Sequence, residues 1–162
     1  MTQFFHSCRF ATAVSLFTIQ RSVLLASWAV WGYFGGFNVW VARNDRGKEL
    51  KGKSFSALPH MKTELPLQFD DATNRTIELI DVLWLQGNAI VAAFEIESTT
   101  SIYSGLLRMA DLIAMQPNLN IPLYLVAPDE RREKVMIEVN RPTFCRLNPP
   151  LSEICRFISF LG

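Results

Sequence analysis

Ile77-Glu78-Leu79-Ile80-Asp81-Val82-Leu83-Trp84-Leu85 and Ala89-Ile90-Val91-Ala92-Ala93-Phe94-Glu95-Ile96-Glu97, joined by Gln86-Gly87-Asn88, read as the two strands of a β-hairpin. Both runs are rich in β-branched and aromatic residues, and Gly87 with Asn88 is common hairpin punctuation. Side chains alternate faces along a strand, so Glu95 and Glu97 are expected to point the same way. Asp81 is expected in mid-strand, where a carboxylate is costly unless something pairs with it. Three acids converging on one sheet surface point to a divalent-metal site.

Composition narrows the classes. A chain of 162 residues is long enough for one core and short for two. With 49% hydrophobic and 19% charged residues it is not a disordered segment. A net charge of +1 gives no global signature of nucleic-acid binding, so any such contact must come from local basic clusters. Cys8, Cys145 and Cys155 have no metal-like spacing and cannot all pair, which favours a reducing cytoplasm. With His6 and His60 the only histidines, zinc or histidine-dependent chemistry is disfavoured. No Gly-x-Ser-x-Gly elbow or nucleotide-type phosphate loop occurs.

Residues 1–36 form an apolar lead, and 37–162 are expected to form the domain. Ser22 to Ala42 carries no charge, a length that could just span a bilayer. Arg43, Arg46, Lys48, Lys51 and Lys53 follow it, against Arg9 and Arg21 before it, so a span here would leave the C-terminal part in the cytoplasm. Gly32, Gly35, Gly36 and Asn38 interrupt the run, which favours a buried helix to about Tyr33, a glycine turn and a strand from Phe37 to Ala42. A misassigned start, leaving a lead that matches the domain poorly, is the third reading.

Asn44 to Gln68 reads as a loop with one short helical turn, and Arg43 to Lys48 as a solvated charge run able to touch phosphates. After the hairpin, Ser98 to Ser101 offers helix caps, and a helix is expected from Ser101 to Met115 with Ile102, Leu106, Met109 and Ile113 facing the core. Ser104, Arg108 and Asp111 share a face of it that could look back at the acids, or Arg108 and Asp111 form an ordinary surface pair. Ile121 to Ala127 reads as a buried strand. Asp129 to Asn140 reads as a helix capped by Asp129, with a Glu130–Lys134 pair and Pro142 as stop. Arg131, Arg132, Lys134 and Arg141 make its face the most basic local cluster. Phe144 to Leu147 is expected as a short strand and Leu151 to Phe160 as a closing helix. The order hairpin, helix, strand, helix predicts an α/β fold with a mixed sheet and helices packed on it.

Asp81, Glu95 and Glu97 in this setting resemble the PD-(D/E)xK nuclease superfamily, the restriction-endonuclease-like fold. The run from Phe94 through Arg108 to Leu112 is similar to a branch of bacterial proteins assigned to that fold, and the resemblance covers roughly Val39 to Phe144. It implies that Asp81 is the first acid and Glu95 the acid of the acid-x-Lys triplet. Glu97 stands where Lys is usual, as Glu does in some restriction enzymes of the superfamily. The implied activity is hydrolysis of nucleic-acid phosphodiester bonds, DNA foremost, with Mg²⁺ or Mn²⁺ on Asp81, Glu95 and the Ile96 carbonyl. Glu97 would handle the attacking water and Arg108 would replace the missing Lys. The alternative is an inactive nuclease-fold protein that binds nucleic acid or another partner, either cytoplasmic or tethered to a membrane.

Overall fold

The computed structural model describes residues 21–50, 52–66, 70–97, 102–115 and 120–160. Expected features at 1–20, 51, 67–69, 98–101, 116–119 and 161–162, including the cap run Ser98 to Ser101, lie outside the described residues. A five-stranded mixed sheet is built from β1 (Asn38–Val41), β4 (Val82–Gln86), β5 (Ala89–Ile96), β6 (Leu123–Pro128) and β7 (Cys155–Phe160), in that spatial order. The pairs β1–β4 and β4–β5 are antiparallel, whereas β5–β6 and β6–β7 are parallel. The parallel pairs need crossovers. Helix α3 (Ile102–Met115) supplies the first, and α4 (Arg132–Val139), α5 (Pro142–Cys145) and α6 (Leu151–Ile154) supply the second.

Alternation along the strands divides the core in two. Leu83, Leu85, Ala93, Leu123 and Leu125 face α3, whose Ile102, Leu106, Met109, Leu112 and Ile113 are buried against them. Each buried Leu, Ile or Met side chain here contributes about 1.5–3 kcal/mol relative to an exposed position. Val82, Trp84, Ala92, Phe94 and Ile96 face the other way, onto Leu24, Leu25, Ala26 and Ala29 of α1 (Arg21–Phe34). Trp28 stacks on Phe94 with centroids 4.8 Å apart, and the Trp84 indole N–H donates to the Trp28 carbonyl at 3.0 Å. The apolar lead therefore ends as a layer of the fold, with Gly35 and Gly36 turning the chain into β1. Among the described residues no helix is long and apolar enough to cross a membrane.

Several sequence expectations are corrected. Ile77 is the last residue of α2 (Asp71–Ile77), and the first hairpin strand starts only at Val82. Asp70 caps α2 by accepting from the Thr73 N–H at 2.9 Å, and Ile77 and Ile80, three apart, are both buried in the α3-side core. Asp81 is thus the residue that enters β4, not its midpoint. The segment 44–68 holds a small ribbon of β2 (Glu49–Leu50) and β3 (Lys53–Ser54) and a 3₁₀ turn at Phe55–Ala57. Asp129 begins a 3₁₀ turn (Asp129–Arg131) and its carboxylate binds Arg132, with no side-chain cap on α4. Phe144 lies in a helical turn started by Pro142, not in a strand. The closing helix stops at Ile154, and Cys155–Phe160 is the edge strand β7.

Candidate functional site

Glu95 and Glu97 follow the parity of Ala93, so both fall on the α3 face of β5, at the end away from the hairpin turn. Asp81 reaches the same end from β4. Its backbone is fixed from the other side, because the Ala42 N–H donates to the Asp81 carbonyl at 3.0 Å. The Ile96 N–H then donates to Asp81 Oδ2 at 2.7 Å, while the Glu97 N–H donates to the Val126 carbonyl at 2.8 Å. The backbone at Ile96 is therefore turned toward Asp81, and at Glu97 toward β6. One carboxylate from the start of β4 sits on the peptide that joins the two acids of β5.

All three acids are withdrawn from water: Asp81 is 2% exposed, Glu95 0% and Glu97 8%. Arg108 of α3 holds Glu95 in a two-pronged contact, Nε to Oε1 at 2.8 Å and Nη2 to Oε2 at 2.5 Å. Its Nη2 is also 3.9 Å from Glu97 Oε1. Burial is the largest influence on Glu95 and pushes its carboxyl well above the usual glutamate range, with Asp81 and Glu97 acting in the same direction. The Arg108 guanidinium opposes that rise, and its own proton is held more tightly through the hydrogen bond to Glu95. Collecting like charges in a buried place is unfavourable for folding, so such clusters are candidates for function.

The donors are hard oxygens, the chemistry Mg²⁺ and Mn²⁺ accept, and two carboxylates with a backbone carbonyl are enough when the substrate adds phosphate oxygens. Asp81, Glu95 and the Ile96 carbonyl are the groups that would supply such a set. Among the described residues no three His, Cys, Asp or Glu side chains are grouped to hold an ion, and Glu95 is turned to Arg108. Arg108 looks back at the acids, one of the two arrangements its helix face allows. Gly105, which the sequence did not single out, lies against both glutamates. Its signal was present: a glycine inside a strongly periodic helix asks for a reason.

The expected basic clusters are largely engaged with the protein itself. Arg46 donates to the Val41 and Thr63 carbonyls and lies 3.7 Å over the Trp40 ring, and Arg43 and Lys48 pair with Glu78 and Asp45. On α4 and beyond, Arg132 pairs with Asp129 and Arg141 with Glu138. A cleft of about 380 Å³ opens between 62–66 and the hairpin tip at Leu85, Gly87 and Asn88, at the opposite end of the strands from the acids.

A family model described as the type II restriction enzyme NmeDI C-terminal domain matches residues 24–162. The type II restriction enzyme NmeDI of Neisseria meningitidis serogroup C is 35% identical over 124 residues, covering 72% of this chain and 35% of that protein. The chain therefore spans about a third of the length of this curated relative. No solved structure matches significantly.

Proposed function

Since this chain belongs to the family of the NmeDI C-terminal domain, we propose that it is a nuclease-type domain that hydrolyses phosphodiester bonds of nucleic acid, DNA foremost, at the site of Asp81, Glu95 and Glu97. The observation that carries the proposal is the 2.7 Å bond from the Ile96 N–H to Asp81 Oδ2, which joins the first acid to the acid-x-acid strand. The chain order α1–β1–β4–β5–α3–β6, with the β2–β3 ribbon and α2 inserted before β4 and the acids at the end of β5 and the mouth of β4, supports a PD-(D/E)xK type of core. The restriction-enzyme relative supports DNA as the partner, and free Cys145 and Cys155 accord with a cytoplasmic setting.

Hydrolysis needs an activated water, neutralised charge at phosphorus and help for the leaving oxygen, and Mg²⁺ or Mn²⁺ supplies these when bound. Asp81 and Glu95 would hold the ion together with the Ile96 carbonyl. Glu97, on the same face, orients the attacking water and takes its proton. Arg108 sets a positive charge beside these acids, the part a Lys would play at position 97, and α3 shields that face from bulk water.

Purified chain is incubated with plasmid and single-stranded DNA, with and without Mg²⁺ or Mn²⁺. Cleavage should require the ion and should be abolished by Asp81→Ala and by Glu95→Ala. Glu97→Lys separates roles: retained activity makes position 97 electrostatic or water-positioning, and complete loss makes it a ligand or base. Cleavage in excess chelator, or unchanged in Asp81→Ala, refutes the mechanism. The two-pronged hold of Arg108 on Glu95 favours a second reading, a non-cleaving member whose guanidinium stands where an ion would sit. DNA binding with no cleavage under any metal selects that reading.

A further inference from the structure

Gly105 is buried near the start of α3, where glycine loosens a helix relative to alanine. Its place is explained by what lies opposite. A Cβ at Gly105 would stand 2.9 Å from Glu97 Oε1, 3.2 Å from Glu95 Cβ and 3.4 Å from Glu95 Oε2. Arg108 follows three residues later, on the same side of the helix, and grips Glu95. We propose that Gly105 is a positioning residue for the acid pair: its bare backbone lets α3 approach β5 closely enough for Glu95 and Glu97 to lie side by side within reach of Arg108. The inference deepens the reading above, and rests on it for the statement that the pair acts on a bound ion.

The two neighbours of an added methyl respond differently. Glu97 Oε1 ends a flexible side chain and can swing away, whereas Glu95 Cβ is tied to the β5 backbone and can give only a few tenths of an ångström. Gly105→Ala therefore displaces the Glu97 carboxylate and presses on Glu95, while the sheet and the rest of α3 stay in place. The fold gains helix propensity and the acid pair loses its arrangement.

The full chain and its Gly105→Ala, Glu97→Asp and doubly substituted variants are compared by thermal melting, calorimetric titration with Mn²⁺ alone, and the ¹⁵N resonance of Arg108 Nε–H. We expect Gly105→Ala to melt cooperatively near the parent temperature, to shift the Arg108 resonance and to bind Mn²⁺ about 10- to 100-fold more weakly. Glu97→Asp, which shortens the chain that meets the methyl, should recover part of that loss in the Gly105→Ala background while weakening binding on its own. Unchanged Mn²⁺ affinity and an unchanged Arg108 resonance in Gly105→Ala overturn the proposal. So does loss of cooperative melting in both Gly105→Ala and the double variant, which makes Gly105 structural only. If the parent chain binds no Mn²⁺, the metal reading fails by itself. The Arg108 resonance then decides the positioning role, a shift supporting it and no shift overturning it.

Discussion

Replacing Arg108 by Met keeps much of its aliphatic stem and removes the charge that Glu95 leans on. Glu95 is fully buried, so its carboxylate cannot turn to water, and the cheapest response is to take up a proton. Removing one partner of a buried ion pair costs about 3–5 kcal/mol while the other charge remains. A buried acid with a raised folded-state value is favoured in its neutral form, and loss of Arg108 raises that value further. Below the parent's own raised value Glu95 is protonated in both proteins and the pH-dependent part of the penalty is absent. Above it the parent carboxylate is charged against Arg108, and the penalty of Arg108→Met grows by at most about 1.4 kcal/mol per pH unit. Urea unfolding in chelator near pH 5 and near pH 9 should therefore show the larger loss, about 3 kcal/mol, at the higher pH. Glu95→Gln in the Arg108→Met background should return most of that loss near pH 9. Equal losses at both pH values, or a loss under about 0.5 kcal/mol near pH 9, would show that the guanidinium does not support a buried Glu95 charge.

Metal-free parent protein should lose stability as pH rises above about 4.5 toward the raised folded-state value of Glu95, because folded Glu95 holds its proton longer than the unfolded chain does. The slope from this group is at most about 1.4 kcal/mol per pH unit, and Glu95→Gln should remove it in a urea-melt series. Burial pushes the Cys155 thiol up to about 12, with its sulfur 3.8 Å from Met109 Sδ. In a Cys8→Ser background, a disulfide reagent at pH 8 should modify exposed Cys145 quickly and Cys155 only on unfolding, as counted by mass spectrometry. Two fast-reacting thiols in the folded protein would contradict that placement.

The hairpin turn and the α3 helix were legible because their signals are local: left-handed Gly87 (φ 59°) between β-branched runs, and apolar residues at helical spacing. Strand parity likewise put Glu95 and Glu97 on one face. Ile77 to Asp81 misled because Ile77 and Ile80 also fit an apolar strand, and the Asp70 cap that starts a helix lies upstream of the run. The edge strand Cys155–Phe160 misled differently. Its exposed residues, Arg156 and Ser159, are three apart, and with only one side of the strand paired the other residues are half-buried, so the pattern imitates a helix. Gly105 and the Arg108–Glu95 contact depend on how closely α3 settles on β5, a distance that no local pattern encodes.

The proposed function stands or falls on a divalent ion held by Asp81, Glu95 and the Ile96 carbonyl. An anomalous difference map from a crystal of the full chain soaked in Mn²⁺ tests it most directly. We expect one strong peak within coordination distance of an Asp81 oxygen, a Glu95 oxygen and the Ile96 carbonyl, with Arg108 drawn off one Glu95 oxygen, and no peak there in Asp81→Ala. A Mn²⁺ peak elsewhere, with Arg108 still gripping both oxygens of Glu95, would contradict it.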